Sequence, residues 1–288
     1  MRQNKKRKVD IVVISDVHLG TYGCRAEELL NYMQSIKPKQ VILNGDILDI
    51  WQFKKSYWPK SHMRIIKQII SWVSKGVTVH YITGNHDEML RKFDGFQLGS
   101  LSIKNKLVLN LSGQKAWFFH GDVFDITMQH SVWLAKLGSV GYDFLIKLNS
   151  FVNYFNTLFN REKSSLSKKI KNKVKAAVKF INDFEKTATR IAFENKYQFV
   201  VCGHIHQPEI KEFKEGNKKV VYMNSGDWVE NLTALEYHNN TWSIYTYDAL
   251  DFMEVIHEEM EILDKSSKEI FNDMLADFQV TKPNKSKV

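Results

Sequence analysis

The chain has 288 residues, of which 43% are hydrophobic, 25% charged and 12% aromatic, with a formal net charge of +9 at pH 7. That composition excludes an intrinsically disordered chain and provides for one substantial core, or a core with a smaller attached lobe. The basic balance favours anionic partners (nucleic acid, phosphorylated small molecules or an anionic membrane surface) without choosing among them.

The first fifteen residues, "MRQNKKRKVDIVVIS", are basic and then briefly apolar. The apolar run is too short for a secretory segment, and no small-residue cleavage site follows it. No stretch approaches the roughly 20 uninterrupted apolar residues that cross a bilayer. The two cysteines, Cys24 and Cys202, make neither a disulfide framework nor a zinc cluster. The expectation is a cytoplasmic protein in a reducing compartment, with "KKRK" as a solvated tail.

The first strand signal, "IVVIS" (11–15), ends in Asp16, Val17 and His18. Residues i and i+2 of a strand point to the same face, so Asp16 and His18 project together past a strand end. "AEELLNYMQSI" (26–36) follows with apolar residues at helical spacing. The second strand, "QVILNGD" (40–46), ends at Asp46, with Asp49 three residues on. A second helix, "RIIKQIISWVSK" (64–75), leads to "VTVHYITGN" (77–85), which ends in Asn85, His86 and Asp87. "KAWFFHGD" (115–122) supplies His120 and Asp122, and "FVVCGHIH" (199–206) supplies His204 and His206. "KVVYMNSGD" (219–227) opens a run of meandering strands with an "HNN" turn. Strands alternating with helices predict a layered α/β architecture, and the later strands make its sheets mixed or a sandwich.

Residues 123–198 carry no strand signal. "FLIKLNSFVNYFNTLF" (144–159) has one apolar stripe, and 170–193 aligns Ile170, Val174, Ala177, Val178, Ile181, Phe184, Ala188 and Ile191 on another. These predict an insertion of two or three helices between the fourth and fifth strands. A last helix, about 255–277, ends in the polar tail "TKPNKSKV". The domain reading is one body over 9–260, interrupted by the insertion, with a C-terminal helix and tail over 261–288.

Five apolar strands therefore end in metal-capable side chains, usually beside a glycine. One such pair has an ordinary structural explanation; five in series would need five coincidences. Phosphate-ester hydrolysis supplies a reason. It is among the slowest uncatalysed reactions, with enzymatic accelerations up to about 10²¹. A positioned acid or base contributes only about 10²–10⁴ of that. Two divalent metals about 3.5–4 Å apart can supply much of the rest. They need a bridging carboxylate and mixed nitrogen and oxygen ligands, which this series offers.

The blocks "DVHLG", "GDILD", "GNHD", "HGD" and "GHIH" resemble, in order, the signature of the calcineurin-like metallophosphoesterase superfamily. The resemblance implies that fold: layered mixed sheets flanked by helices, over 9–260. It implies that Asp16, His18 and His206 hold one metal, that Asp46 bridges, and that Asn85, His120 and His204 hold the second. His86 would stabilise the phosphoryl group and protonate the leaving oxygen, with Asp87 orienting its imidazole. Asp49 and Asp122 would fix ligand orientation. The attacking species would be a metal-bridging hydroxide acting in line. Oxygen and imidazole ligands without cysteine suit two divalent ions, Mn²⁺ first, with Fe or Zn²⁺ as alternatives.

Within the superfamily, "GDILDIW", "HGDVFD" followed by an insertion, and "GHIHQP" are similar to the UDP-2,3-diacylglucosamine diphosphatases of lipid A synthesis. That implies cleavage of a lipid-linked nucleotide to UMP and 2,3-diacylglucosamine 1-phosphate, with the insertion as a lipid-binding lid. Several members carry Arg where this chain has His86, which matches the wider superfamily pattern. Residues 163–179 hold seven lysines and no acid. They resemble a surface for acyl chains and anionic head groups, with peripheral contact at the inner membrane face. The plain alternative is a small helical subdomain with its lysines in water. Base-stacking aromatics do not interleave with these lysines, which argues against nucleic acid. Arg91 is a candidate diphosphate contact, or else a solvated helix charge. The broader alternatives are a general phosphoesterase acting on nucleotides, phosphodiesters or phosphoproteins, and a non-catalytic interaction module. The intact ligand set argues against the last.

Overall fold

The structure is a computed structural model that describes residues 6–52, 57–125, 164–252 and 272. It divides into two compact units, Met1–Gly121 with Ile191–Val288, and Asp122–Arg190.

In the first unit, β1 (Arg7–Ile14) leads through α1 (Ala26–Ser35) to β2 (Ile36–Asn44), and β2 through α2 (Lys60–Ser74) to β3 (Thr78–Ile82). Short strands β4 (Gln97–Leu98), β5 (Leu101–Lys104), β6 (Leu107–Leu111) and β7 (Gln114–Phe118) follow. After the insertion come β8 (Phe199–Cys202), β9 (Glu209–Glu215), β10 (Lys218–Asn224), β11 (Thr233–His238) and β12 (Thr241–Thr246). One sheet runs β12-β11-β1-β2-β3-β5-β4 and the other β6-β7-β8-β10-β9. In the first, β1, β2, β3 and β5 are parallel. In the second, β7, β8 and β10 are parallel.

The period of two along β1 explains the layering. Val12 and Ile14 join Leu29, Leu30 and Met33 of α1 and Ile65, Ile69 and Trp72 of α2 in one core. Ile11 and Val13, one residue out of step, join Ile42, Ile82, Phe118, Val201 and Met223 in a second core built from both sheets. Each large apolar side chain buried there contributes roughly 1.5–3 kcal/mol relative to exposure. The interior is thus sheet against sheet, with both helices on the outer face of the first sheet.

The strands foreseen from sequence are present, with shorter C-terminal limits, because their last residues leave the ladder to form the site. Strands β5, β6 and β9 have no counterpart in the sequence reading. β5 and β6 are only four and five residues long, and β9, at seven, carries Ile and Phe among Glu and Lys. The expected meander after residue 219 is divided: β10 lies beside β8, whereas β11 crosses to pair antiparallel with β1. The "HNN" turn closes β11 to β12, with Asn239 and Asn240 at φ +49° and +61°, as a two-residue type I′ hairpin requires.

The second unit contains a 3₁₀ turn, Asp122–Phe124, and most of α3 (Ser164–Asn195). Phe124 and Phe184 meet edge to face with centroids 5.3 Å apart. Phe184 and Ala188 of the expected stripe are buried, but Val178 is 52% exposed, so the stripe does not continue inward there. The apolar stripe expected at 144–159, and all of the last helix and tail except Asn272, lie outside the described residues. Among the described residues, no helix is long and apolar enough to cross a membrane.

Candidate metal centre

Parallel strands place their C-terminal ends on one edge, where α/β folds build sites. Here the loops after β1, β2, β3, β7 and β8 carry Asp16 and His18, Asp46, Asn85 and His86, His120, and His204 and His206. Asp16, His18, Asp46, His204 and His206 all have φ between +53° and +68°. For residues other than glycine, this left-handed backbone costs on the order of 1–3 kcal/mol each and persists only where neighbours over-determine it. They do: the amide of Asp16 donates to the Gly45 carbonyl at 3.1 Å. The amides of Val17 and His18 donate to the Asp46 carbonyl at 3.0 and 2.9 Å, and Gly203 donates to the His120 carbonyl at 2.9 Å.

Three glycines permit the crowding. A Cβ on Gly84 would collide with Asp46 Oδ1 and stand 2.7 Å from the Asp46 amide. One on Gly203 would stand 2.5 Å from Asp16 Oδ2. Gly84 and Gly203 let backbone pass close to a carboxylate, and Gly45 leaves room for the His120 ring.

Three sets of ligand atoms converge, each within 4.8 Å: Asp16, His18 and His206; His18, Asp46 and His86; Asp46, His120 and His204. Asp46 belongs to two of them. Its Oδ1 accepts the His86 amide at 2.8 Å, and its Oδ2 lies 3.1 Å from His120 Nε2. Asp16 accepts the His204 amide at 3.1 Å on Oδ2, and its Oδ1 lies 3.2 Å from His206 Nε2. The far ring nitrogens are held from behind. His18 Nδ1 lies 3.3 Å from Asp49 Oδ2, and His120 Nδ1 lies 2.9 Å from the Asn44 carbonyl. Each ring therefore turns its Nε2 toward the carboxylates. Asn85 Oδ1 is buried and, among the described residues, accepts no hydrogen bond. A buried acceptor of this kind is costly unless a cation or water completes it. This donor set of imidazole, carboxylate and amide oxygen fits divalent transition metals.

The electrostatics agree. Burial pushes the carboxyls of Asp16 and Asp46 up, but the neighbouring histidines outweigh it and hold both below the usual range, Asp16 at about 2. Asp49 is lowered in the same way by His18 and His86. Burial acts to lower the His206 pKa, yet Asp16 raises it to about 9. The ring keeps 35% side-chain exposure, so solvent moderates that attraction without reversing it. Asp87 is raised by burial and by the charge of Asp46. A proton on His206 thus offsets the Asp16 charge in the metal-free chain, and an entering ion must displace it. Mn²⁺ affinity is expected to fall as pH drops from about 9 toward 6, because the raised His206 holds its proton over that window. Calorimetric titration in buffers of different ionisation enthalpy would register proton release on binding. Affinity independent of pH, with no proton released, would contradict it.

The sequence-predicted residues fall into place unequally. Asp16, His18, Asp46, His120, His204 and His206 are brought together. His86 joins them, with Nδ1 2.9 Å from Asp49 Oδ2 but out of line for a good hydrogen bond. Asp87 does not orient that ring. Its carboxylate turns back into its own loop, accepting the amides of Gly84 at 2.6 Å and Ile47 at 3.0 Å and the Tyr81 hydroxyl at 2.6 Å. The orienting carboxylate beside His86 is Asp49. Arg91 is half-buried and donates from Nη2 to the Gly84 carbonyl at 3.3 Å, bracing the same loop. Asp122 is half-buried in the 3₁₀ turn that opens the second unit. Sequence reasoning missed Asp227, a buried carboxylate 3.9 Å from His206 Nδ1. Its signal was present: "GD" after an apolar strand, as at Asp46.

A two-sheet α/β fold that gathers imidazoles and carboxylates at its strand ends defines a metal-dependent hydrolase. The chain belongs to the calcineurin-like phosphoesterase family, whose model matches residues 9–208. It is 25% identical over 244 residues to a UDP-2,3-diacylglucosamine hydrolase of Aliivibrio fischeri, spanning 82% of this chain and 97% of that one. A hydrolase of the same name from Actinobacillus succinogenes is 27% identical, over 77% and 93% of the two chains. The DNA double-strand break repair protein Mre11 of Methanococcus maripaludis is 24% identical, over 77% of this chain and 55% of that one. Among solved structures, an archaeal phosphodiesterase is 12% identical with a TM-score of 0.39, over 82% and 98% of the chains.

Proposed function

We propose that this chain is a two-metal pyrophosphatase that hydrolyses UDP-2,3-diacylglucosamine to UMP and 2,3-diacylglucosamine 1-phosphate. The observation that carries the chemistry is Asp46, the carboxylate shared by two converging ligand sets. Asp16, His18 and His206 would hold one divalent ion, Asn85, His120 and His204 the other, and Asp46 both. Mn²⁺ suits these ligands best, with Fe or Zn²⁺ as alternatives. When bound, such a pair supplies a nucleophile at neutral pH and neutralises phosphoryl charge.

The chain's own residues do the rest. Asp49 holds the rings of His18 and His86 from one side, 3.3 and 2.9 Å from their Nδ1 atoms. His86, its pKa lowered by burial but raised overall by Asp49 and Asp46, keeps a proton for the leaving phosphate oxygen. Water oxygen joins phosphorus and gives a proton to solvent, the bridging P–O bond breaks with its electron pair on the departing oxygen, and His86 protonates that oxygen. Asp87 and Arg91 keep the 84–91 loop in shape; Arg91 also serves the diphosphate.

The substrate assignment rests on the hydrolases of that name, which match 82% and 77% of this chain over 97% and 93% of their own. The lysines of 163–179 support it as a site for anionic head groups, with the insertion as a lid and peripheral contact at the inner membrane face of the cytoplasm. A second reading, a general phosphoesterase on nucleotides or phosphodiesters, is favoured by His86 itself. The test is a panel with added Mn²⁺: UDP-2,3-diacylglucosamine, UDP-glucose, simple nucleotides, a chromogenic phosphodiester and short single-stranded DNA. Preference for the lipid substrate by tenfold or more in kcat/KM supports the first reading. Equal rates on the small diesters support the second.

A further inference from the structure

Asp227 follows β10 and is buried in the loop 224–231. Its Oδ1 accepts the backbone amides of Val229 at 2.8 Å, Glu230 at 2.5 Å and Asn231 at 3.3 Å. Its Oδ2 accepts Asn231 Nδ2 at 2.5 Å and stands 3.9 Å from His206 Nδ1, an ion-pair separation rather than a hydrogen bond. The same Asn231 amide donates to the His206 carbonyl at 2.8 Å. One residue on, the Trp228 amide donates to the Asp16 carbonyl at 3.0 Å. The loop therefore holds two residues at φ +53° by their carbonyls, His206 through Asn231 and Asp16 through Trp228, and sets a carboxylate 3.9 Å behind the His206 ring.

The neighbouring histidines show what that arrangement is for. His18 is backed by the Asp49 carboxylate and His120 by the Asn44 carbonyl. His206 is backed by Asp227, with Nε2 on the opposite side facing Asp16 at 3.2 Å. A carboxylate behind a ligating imidazole orients it and raises its basicity, and at 3.9 Å Asp227 acts on His206 through its charge.

We propose that Asp227, with Asn231 as its bridge, is the positioning residue for the ion held by Asp16, His18 and His206. This deepens the two-metal reading and rests on it. The loop's three amide bonds to Oδ1 offer a competing, purely architectural role, and the two roles predict different results. Asp227→Asn preserves an oxygen for those amides but removes the charge behind His206. Asn231→Ala keeps the charge and cuts the bridge.

The measurement is Mn²⁺ binding to the full chain by calorimetry and electron paramagnetic resonance, beside the melting temperature of the metal-free protein. Wild type is expected to bind two ions. Asp227→Asn should weaken one of them by about 10–100-fold, the usual effect of losing such a partner. The other ion should stay within about threefold, and the metal-free melting temperature within a few degrees. Asn231→Ala should weaken the same ion by a smaller factor. Two wild-type affinities in Asp227→Asn would overturn the positioning role while leaving the two-metal reading intact. So would equal weakening of both ions with a collapsed melting temperature. If Asp227→Asn does not fold, wild-type affinities in Asn231→Ala overturn the role instead. Wild-type protein that binds no Mn²⁺ overturns both.

Discussion

Asp46→Ala is expected to lower kcat/KM on a chromogenic phosphodiester by more than about 10⁴-fold, beyond what any single acid–base group supplies. Asp46 is the carboxylate that belongs to two ligand sets. Its backbone is committed as well: its carbonyl accepts the amides of Val17 and His18. Removing the side chain takes one oxygen from beside His120 and the other from the His86 amide. In the two-metal reading both ions would lose a ligand at once, so the two-metal contribution would go as a unit. The main-chain bonds of residue 46 need no side chain, so circular dichroism should report a folded protein. Activity within tenfold of wild type would reject the bridging role.

His86→Ala is expected to cost about 10²–10⁴-fold in kcat, the range of a positioned general acid, with little change in KM. The size should depend on the leaving group. Nitrophenolate and sugar phosphate are weakly basic leaving groups and should lose least; an alkoxide, a strong base, should lose most. The pH profile adds a sign. His86 is held above the ordinary imidazole value, chiefly by Asp49 against the opposing effect of burial. Its acid form therefore persists above about pH 6.5, the unperturbed histidine pKa, and is lost as pH rises further. Wild-type activity should decline through that higher range, and the variant should lack the decline. Equal losses for every leaving group would instead assign His86 a purely electrostatic role.

The parts of the site that lie on single strand ends were legible in the sequence. Asp16 and His18 share one strand end, but they converge through left-handed turns at φ +53° and +54° beyond Ile14, not through the period of two that first paired them. His204 stands beside Gly203, whose lack of a Cβ leaves room for Asp16. Relationships created by the turns were not legible. Nothing in "GNHD" says that the Asp87 carboxylate folds back on the Gly84 amide, or that Asp49, nearly forty residues earlier, arrives beside His86. Asp227 escaped because it reaches His206 only after β10 has crossed beside β8. The same limit applies to the fold. Long β-branched strands announce themselves, whereas β5 and β6, four and five residues long, are set by pairing with β3 and β7.

Crystals of the wild-type chain soaked in Mn²⁺ and measured at the manganese absorption edge test the whole account most directly. Two anomalous peaks per chain are expected, one among Asp16, His18 and His206, the other among Asn85, His120 and His204, with Asp46 between them. A single peak, or none at saturating Mn²⁺, would contradict it.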